Sequence, residues 1–304
     1  MGLPFSNGTH IHEQDLKILT GKSMEQVEDM REHYLAPLSP CPDFHNHVGL
    51  NLAYCGEQYQ FSCEELVAMM LRQLASYAEK GETKETYCVL SIPGCFTKQQ
   101  RQALRAAAHI AGLNISGFIN DLTAAALVYS YTRSSNLEDG DVVLFVDMGQ
   151  CYFQLQVVEY REGRATVLAS HAEELGGREF TARLKRHLES EIMEKYKLDV
   201  TKSSRNVWQM TKEAERLKKV LSTIPATKFD YFIMDKDVSI NVNRARFEEL
   251  CNDLLVRIAP AVEKVKQAAQ ETLKKQRGDS FSPEKFEGKE GEENLARVEL
   301  IASI

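Results

Sequence analysis

An aspartate near the end of a strongly apolar run is the residue of this sequence best suited to chemistry. Asp147 lies in the run 142–148, and Gly149 follows that run directly. A carboxylate at the end of a buried strand can hold a hydrated metal ion while the amides of a tight turn face a phosphate. An ordinary β-hairpin whose aspartate flanks the turn is the commoner explanation, because one glycine is weak evidence for a phosphate loop. The residues alone leave both interpretations open.

A second set of polar side chains shares one face of a predicted helix. The set consists of Glu215, Lys218, Lys219 and Ser222, at positions i, i+3, i+4 and i+7. Such a face could bind a nucleoside through hydrogen bonds and through packing of the lysine stems. It could equally be a solvated face with intrahelical Glu–Lys pairs, which is the more usual role of a run of charged residues. Both interpretations remain open here as well.

The other candidate residues give weaker signals. Gly176 and Gly177 precede a predicted helix whose first amides could bind an anion, although a plain turn explains the same pair. Lys17 taken alone indicates no function. No Ser/His/Asp or Cys/His arrangement can be argued from spacing.

The elements that would position these residues begin as an alternation of helices and strands. In chain order, residues 62–129 predict three helices separated by two strands. The first helix follows the capping box of Ser62 and Glu65, and a strand at 87–92 comes after it. The second helix follows the capping box of Thr97 and Gln100, a strand lies at 115–119, and Asp121 caps the third helix at 123–129. This rhythm indicates an α/β fold.

The second part predicts a strand meander followed mainly by helices. The run 142–148 is nearly all apolar, as expected of a strand that is buried on both faces. The next strand, 153–157, alternates apolar residues with Gln154 and Gln156, which predicts a half-buried return strand. Further predicted elements are a strand at 166–170, a strand pair between 229 and 242, a long helix capped by Asn243 and a strand at 298–301.

Composition excludes several classes of partner. A net charge of −7 without a lysine- or arginine-rich stripe predicts that nucleic acid is not a partner. No apolar run in the sequence approaches the roughly 20 residues of a membrane span, so no membrane association is predicted. The seven cysteines are scattered without a C-x-x-C pair, which favours free thiols in a reducing cytosol. We therefore expect a cytoplasmic protein, with the nucleus as a second location.

Several segments, taken in order, resemble the 70-kDa heat-shock protein superfamily. They are 91–93, 99–102, 110–114, 120–126, 175–177, 214–219 and 244–250. Within the superfamily, the segments 145–149, 195–199, 234–239 and 247–251 look like the large 110-kDa subfamily. The resemblance runs from about Asp15 to Gln270, with the strand at 298–301 beyond it.

This resemblance implies an actin-like, two-lobed ATPase fold with ribonuclease H-like lobes and with ATP or ADP and Mg²⁺ in the cleft. We expect an unstructured leader at 1–14, a remnant of the first lobe at 15–136 and the second lobe at 137–304, with a charged mobile loop at 274–294. The family's opening hairpin is not found before Lys17, and the sequence ends where the family has a strand and an adenosine turn. The fold is therefore expected to be incomplete at both ends, which would weaken nucleotide binding.

The resemblance also assigns roles to single residues. Lys17 matches the lysine that supports phosphate transfer, Asp147 matches the carboxylate beside Mg²⁺, and Asp121 stands where ordinary members carry a cleft glutamate. The residues that match the nucleotide-binding segments are Gly149, Gln150, Cys151, Tyr152, Gly176, Gly177, Glu215, Lys218, Lys219 and Ser222. Three positions depart from the ordinary pattern: Gln150 and Cys151 replace glycines, and Gln154 replaces an aspartate.

Three functions are consistent with this resemblance. The first is a co-chaperone that acts as nucleotide exchange factor by embracing the ATPase domain of a 70-kDa chaperone, with unfolded polypeptides as a second class of partner. The second is a chaperone of the 70-kDa class that hydrolyses ATP, against which the altered phosphate loop argues. The third is a truncated product without independent activity.

Overall fold

The structure is a computed structural model of the chain. It describes residues 16, 18–28, 38–42, 45–54, 57–78, 87–133, 137–233, 236–278 and 298–301. The strands are β1 (Leu38–Cys41), β2 (His47–Tyr54), β3 (Glu57–Ser62), β4 (Tyr87–Ile92), β5 (Asn114–Asn120), β6 (Asp141–Met148), β7 (Phe153–Arg161), β8 (Arg164–Glu173), β9 (Ala226–Ile233), β10 (Lys236–Asn243) and β11 (Val298–Ile301). The helices are α1 (Cys63–Ala78), α2 (Lys98–Ile110), α3 (Asp121–Thr132), α4 (Gly177–Tyr196), α5 (Ser204–Thr223), α6 (Arg244–Leu250), α7 (Asn252–Leu255) and α8 (Ile258–Arg277).

The chain divides into two compact units. The first takes its described residues from Met1–Cys88, Thr97–Ser116 and Arg178–Asn252, and the second from Val89–Phe96, Gly117–Gly177 and Asp253–Ile304. Both units combine helices with strands, which confirms the predicted α/β class. The predicted domain boundaries remain a prediction, and the leader at 1–14 lies outside the described residues.

In the first unit, the two predicted capping boxes are confirmed. The backbone N–H of Ser62 donates to Glu65 Oε2 at 2.8 Å, and the Glu65 N–H donates to Ser62 Oγ at 3.1 Å. Thr97 and Gln100 make the same reciprocal pair at the start of α2. Each box satisfies two amides that a helix start leaves without partners, which is why both helices begin where the sequence predicts. Beside them, β1, β2 and β3 form an antiparallel sheet in that order.

The rest of the first unit packs α4 and α5 with the hairpin of β9 and β10. Its core includes Leu188 of α4, Leu217 of α5 and Phe229 of β9, all fully buried. The hairpin confirms the strand pair predicted between 229 and 242.

The long helix predicted after Asn243 is wrong, although its cap is confirmed. Asn243 Oδ1 accepts the backbone N–H of Arg246 at 2.7 Å and so caps α6. The helix then stops at Cys251, whose φ of −103° and ψ of 5° are not helical, and α7 and α8 follow as separate pieces. Apolar residues recur at helical spacing on both sides of this break, so periodicity alone could not reveal it.

In the second unit, the sheet has the order β11-β6-β7-β8. The strands β6, β7 and β8 form the predicted antiparallel meander, and β11 pairs in parallel with β6. Met148 of β6 faces Phe153 of β7, so the predicted hairpin around residues 145–153 is confirmed. The third strand, predicted at 166–170, is longer and runs from Arg164 to Glu173.

The half-buried character predicted for the return strand β7 is wrong. Gln154 and Gln156 are only 3% and 4% exposed. Side chains alternate along a strand, and a helix covers each face of β7. The Tyr160 hydroxyl donates to the Ala126 carbonyl of α3 at 2.8 Å, whereas Glu159, which points the other way, pairs with Arg277 of α8. Gln154, Gln156 and Tyr160 therefore each donate a hydrogen bond to a group of α3 instead of facing water.

Two helix ends also differ from the predictions. Helix α3 begins at Asp121, after Asn120, which makes no side-chain cap bond. Asp121, predicted as the cap, is thus the first residue of the helix, and its carboxylate is used elsewhere. Helix α8 continues to Arg277, so the charged loop predicted from 274 starts too early, and 279–294 lies outside the described residues. None of the helices that the structure describes contains an apolar stretch that could span a lipid bilayer.

Candidate functional site

The predicted site residues fall into two groups, one in each unit. The second unit holds the two aspartates, the turn 149–152 and the glycine pair 176–177. The first unit holds the polar face of α5. Lys17, the predicted catalytic lysine, lies outside the described residues.

The centre of the group in the second unit is the side-chain amide of Gln154. Its Nε2 atom lies 3.1 Å from Asp147 Oδ2 and 3.3 Å from Asp121 Oδ2. Its Oε1 atom accepts the backbone N–H of Gly94 at 2.8 Å. A backbone N–H can only donate and a carboxylate can only accept, so the amide oxygen must face Gly94 and the nitrogen must face the aspartates. One buried amide therefore bridges two carboxylates.

Four separate segments bring these groups together. Asp147 lies near the end of β6 and pairs directly across the sheet with Gln154 of β7. Asp121 is the first residue of α3, where the positive end of the helix dipole favours a carboxylate. Gly94 belongs to the turn that follows β4. The structure thus brings both predicted catalytic aspartates to one place.

The turn 149–152, predicted to hold a phosphate, is bonded to itself. The Gly149 N–H donates to the Tyr152 carbonyl at 3.0 Å. Cys151 and Tyr152 are both buried, and the Tyr152 ring packs edge-to-face on Phe96 with centroids 6.1 Å apart. Side chains at this turn therefore fill the interior of the second unit.

The glycine pair packs directly against this turn. The Gly177 N–H donates to the Gly149 carbonyl at 2.9 Å. A Cβ atom on Gly176 would lie 2.5 Å from the carbonyl oxygens of Gly149 and Gln150. No side chain fits at such a distance, so glycine is required at 176 for the close approach of two backbone segments.

The polar face of α5 is a network around Glu215. Its Oε2 atom accepts from Thr181 Oγ1 at 2.5 Å and from Lys218 Nζ at 2.7 Å, and its Oε1 atom lies 3.3 Å from Lys219 Nζ. Burial raises the pKa of Glu215, but the donors Lys218 and Thr181 outweigh burial and hold that pKa below its usual value. Ser222 Oγ donates to the Lys219 carbonyl at 2.5 Å.

This network decides part of the question that the sequence left open. The predicted intrahelical Glu–Lys pairs are present. The face is not simply solvated, however, because Lys218 is only 9% exposed and Thr181 reaches Glu215 from α4. A role for these four residues in nucleoside binding remains a prediction.

Comparison with known proteins identifies the family. The family model of the Hsp70 protein matches residues 9–276, which is most of the chain. The chain belongs to the Hsp70 family. Heat shock 70 kDa protein 4L of Homo sapiens is 34% identical over 265 residues, which cover 83% of this chain and 31% of the relative. Heat shock 70 kDa protein 4 of Homo sapiens is 36% identical over 227 residues, covering 72% of this chain and 27% of the relative.

A fungal relative matches this chain with a similar identity and a similar coverage. A heat shock protein homolog of Lachancea kluyveri is 34% identical over 226 residues, covering 71% of this chain and 32% of the relative. The chain thus spans about a third of the length of these curated relatives. The recognition of the 70-kDa heat-shock superfamily and its 110-kDa subfamily is confirmed, and so is the actin-like fold class of the Hsp70 ATPase domain.

Hsp70 ATPase domains bind nucleotide, generally with Mg²⁺, so the residues of this Hsp70-family chain can be tested for fit. Mg²⁺ prefers carboxylate and water oxygens, which Asp121 and Asp147 could supply. The same Oδ2 atoms, however, accept the two N–H groups of Gln154, and a cation held directly between them would need the position of that amide. The residues present do not fit such a cation. Within the described residues, no group of three or more His, Cys, Asp or Glu could hold a metal ion.

Two residues of these networks, Gly94 and Thr181, were not predicted as site residues from the sequence. Gly94 contributes its backbone N–H from a position 60 residues before Gln154. Thr181 lies 34 residues before its partner Glu215. The Pro93-Gly94 dipeptide signals a turn but not its partner, and nothing local marks Thr181. Gln154 was noted in the sequence as part of an alternating strand and as a departure from the family pattern, but not as a residue that bonds the two aspartates.

Proposed function

We propose that this chain is the nucleotide-binding region of a co-chaperone that accelerates nucleotide exchange on 70-kDa chaperones and does not itself turn over ATP. The partner would be the ATPase domain of a cytoplasmic 70-kDa chaperone carrying ADP or ATP with Mg²⁺. Unfolded polypeptides are a second proposed class of partner. The proposal makes the chain a binding module built on an ATPase fold.

The observation that carries the proposal is the Gln154 amide between Asp121 and Asp147. Hydrolysis of ATP needs groups that place a metal ion and a water molecule against the γ-phosphate. Here the facing oxygens of both carboxylates already accept N–H groups from one amide. The amides of Gly149 and Gly177 donate to carbonyl oxygens of the turn region, so a phosphate there would have to displace those bonds. These contacts support binding without turnover.

Exchange by binding has a simple thermodynamic basis. A protein that binds the open form of a partner's ATPase domain better than the closed form shifts that partner toward the open form. The open form releases its nucleotide faster, and no chemical step in the bound protein is required. If the chain also binds a nucleoside, the face of Glu215, Lys218, Lys219 and Ser222 would contact it by sharing or replacing the present bonds.

The test is a release assay. A 70-kDa chaperone ATPase domain is loaded with fluorescent ADP, unlabelled ATP is added in excess, and the release rate is followed as this chain is titrated. We expect faster release that saturates with concentration and that survives Asp147→Asn in this chain, because the asparagine oxygen still accepts the Gln154 N–H. No acceleration at saturation would refute exchange activity. ATP turnover by the chain alone that Asp147→Asn abolishes would refute the claim that it is not an ATPase.

A further inference from the structure

The side-chain nitrogen of Gln154 contacts a carboxylate oxygen of both Asp121 and Asp147. We propose that the Gln154 amide occupies the position between the Asp121 and Asp147 carboxylates that a directly bound cation would need, so that this position is closed to metal ions. This inference concerns the chain by itself, without nucleotide or partner. Its test therefore does not depend on whether the chain accelerates nucleotide exchange.

The polar atoms of the Gln154 amide all have hydrogen-bond partners. A side-chain amide offers two N–H donors and one carbonyl acceptor. Both donors of Gln154 are directed at carboxylate oxygens, and the acceptor receives the Gly94 N–H. Every donor is used and the acceptor is occupied, so the side chain has one orientation.

The Gln154 side chain is also buried. Gln154 is 3% exposed, on the face of β7 that α3 covers. A cation that entered between the two Oδ2 atoms would have to remove both N–H groups from their acceptors. The amide would then lie buried without acceptors, or β7 would have to shift and break the bond from Gly94 as well. Leaving buried donors without partners is strongly unfavourable, which opposes entry of the cation.

Replacing the amide nitrogen by oxygen should reverse this behaviour. Gln154→Glu preserves the shape of the side chain and places a third carboxylate oxygen against the other two. Three carboxylates at one position repel each other and form a ligand set that suits Mg²⁺ or Ca²⁺. The variant should therefore be unstable without divalent cations and should recover stability when they are added.

Gln156→Glu is the matched control. Gln156 lies two residues further on the same face of β7, is 4% exposed, and donates from Nε2 to Thr123 Oγ1 at 3.2 Å. Its partner is a hydroxyl group, so the control introduces a buried carboxylate without a carboxylate pair beside it. It should lose stability, but divalent cations should not restore it.

The experiment measures thermal unfolding and Tb³⁺ luminescence of the full chain in EDTA, Mg²⁺ and Ca²⁺ without nucleotide. For the unchanged chain we expect a melting temperature that moves by less than about 1 °C between EDTA and millimolar cation, because a ligand that does not bind gives no linkage. Gln154→Glu should melt lower in EDTA, regain most of the loss in Ca²⁺, and show Tb³⁺ luminescence that the unchanged chain and Gln156→Glu lack.

Gln154→Met keeps the inference testable if the glutamate variant does not fold. Methionine has a similar length but no donor, so it leaves the carboxylate pair without its bridge. This variant should gain cation-dependent stability that the unchanged chain lacks. Mg²⁺ binding to the unchanged chain, lost on Asp147→Asn, would overturn the inference. Equal indifference of all Gln154 variants to cations would overturn it too.

Discussion

Adding a single methyl group at Gly176 tests the packing of the turn 149–152. In Gly176→Ala the new Cβ would lie 2.5 Å from the carbonyl oxygens of Gly149 and Gln150 and 2.6 Å from the Gln150 carbonyl carbon. All three are backbone atoms, so no side chain can rotate away to relieve the contact. The turn must move, and the 2.9 Å bond from the Gly177 N–H to the Gly149 carbonyl is then strained or lost.

The magnitude follows from these two effects. Inserting a methyl group into a packed interior costs about 1–3 kcal/mol. Losing one buried backbone hydrogen bond costs about 0.5–1.5 kcal/mol more. A loss of about 2–4 kcal/mol corresponds to a fall of roughly 5–12 °C in melting temperature for a domain of this size.

Gly94→Ala is the matched control for this prediction. At Gly94 a Cβ would lie 3.8 Å from Ala172 Cβ and from Gln154 Oε1, which is ordinary van der Waals contact. The alanine keeps the N–H that Gln154 accepts, so we expect a change within about 1 °C. Calorimetry measures the melting temperatures, and hydrogen exchange measures protection of the Gly177 amide. A Gly176→Ala variant that melts within about 1 °C of the unchanged chain, with that amide still protected, would refute the close packing described here.

Two further predictions concern ion pairs. Glu215→Gln should destabilise the first unit by about 1–3 kcal/mol at pH 7, since it weakens the bonds from Lys218 and Thr181. The pKa of Glu215 is lowered in the fold, so its stabilisation is present above about pH 4.3 and disappears as the pH falls through the lower folded value. Urea unfolding at pH 7 and pH 3 should therefore show the difference between the two proteins closing in acid; a constant difference would contradict this. Arg277→Ala leaves Glu159, whose side chain is 6% exposed, without its cation and should cost about 3–5 kcal/mol. Breaking an exposed pair with Arg246→Ala should cost less than about 1 kcal/mol, and equal losses in the two variants would contradict the role of burial.

Local sequence signals predicted the features of this fold that depend on neighbouring residues. The capping boxes of Ser62 and Thr97 follow from hydrogen bonds that span three positions. The hairpin between β6 and β7 follows from an apolar run, a glycine and a second strand in immediate succession. Such features need no knowledge of the rest of the chain.

Features that depend on distant segments were not predictable in this way. The burial of β7 depends on α3, about 30 residues earlier, and on α8, more than 100 residues later. An alternating pattern predicts that one face of a strand meets water, but it cannot show that a helix supplies partners for its glutamines. The Gln154 bridge likewise joins residues 33 and 60 positions away. Asp121 was mistaken for a cap because its true partner lies on another element.

A row of polar side chains lies on one face of β7 and gives the carboxylates of Asp121 and Asp147 a structural role as hydrogen-bond acceptors. Gln154 donates to Asp121, Gln156 donates to Thr123, and Tyr160 donates to the carbonyl of Ala126, so three residues on one face of the strand bond along α3. A buried polar row tolerates only one alignment of helix on strand, because a slip would leave donors without acceptors.

Asp121 and Asp147 are therefore needed as acceptors even in a protein that hydrolyses nothing. Replacing either aspartate by an apolar residue would leave one N–H group of the Gln154 side chain buried without an acceptor. The two aspartates can thus be present in this Hsp70-family chain for the sake of the fold alone. Their presence is consequently no argument for ATP turnover.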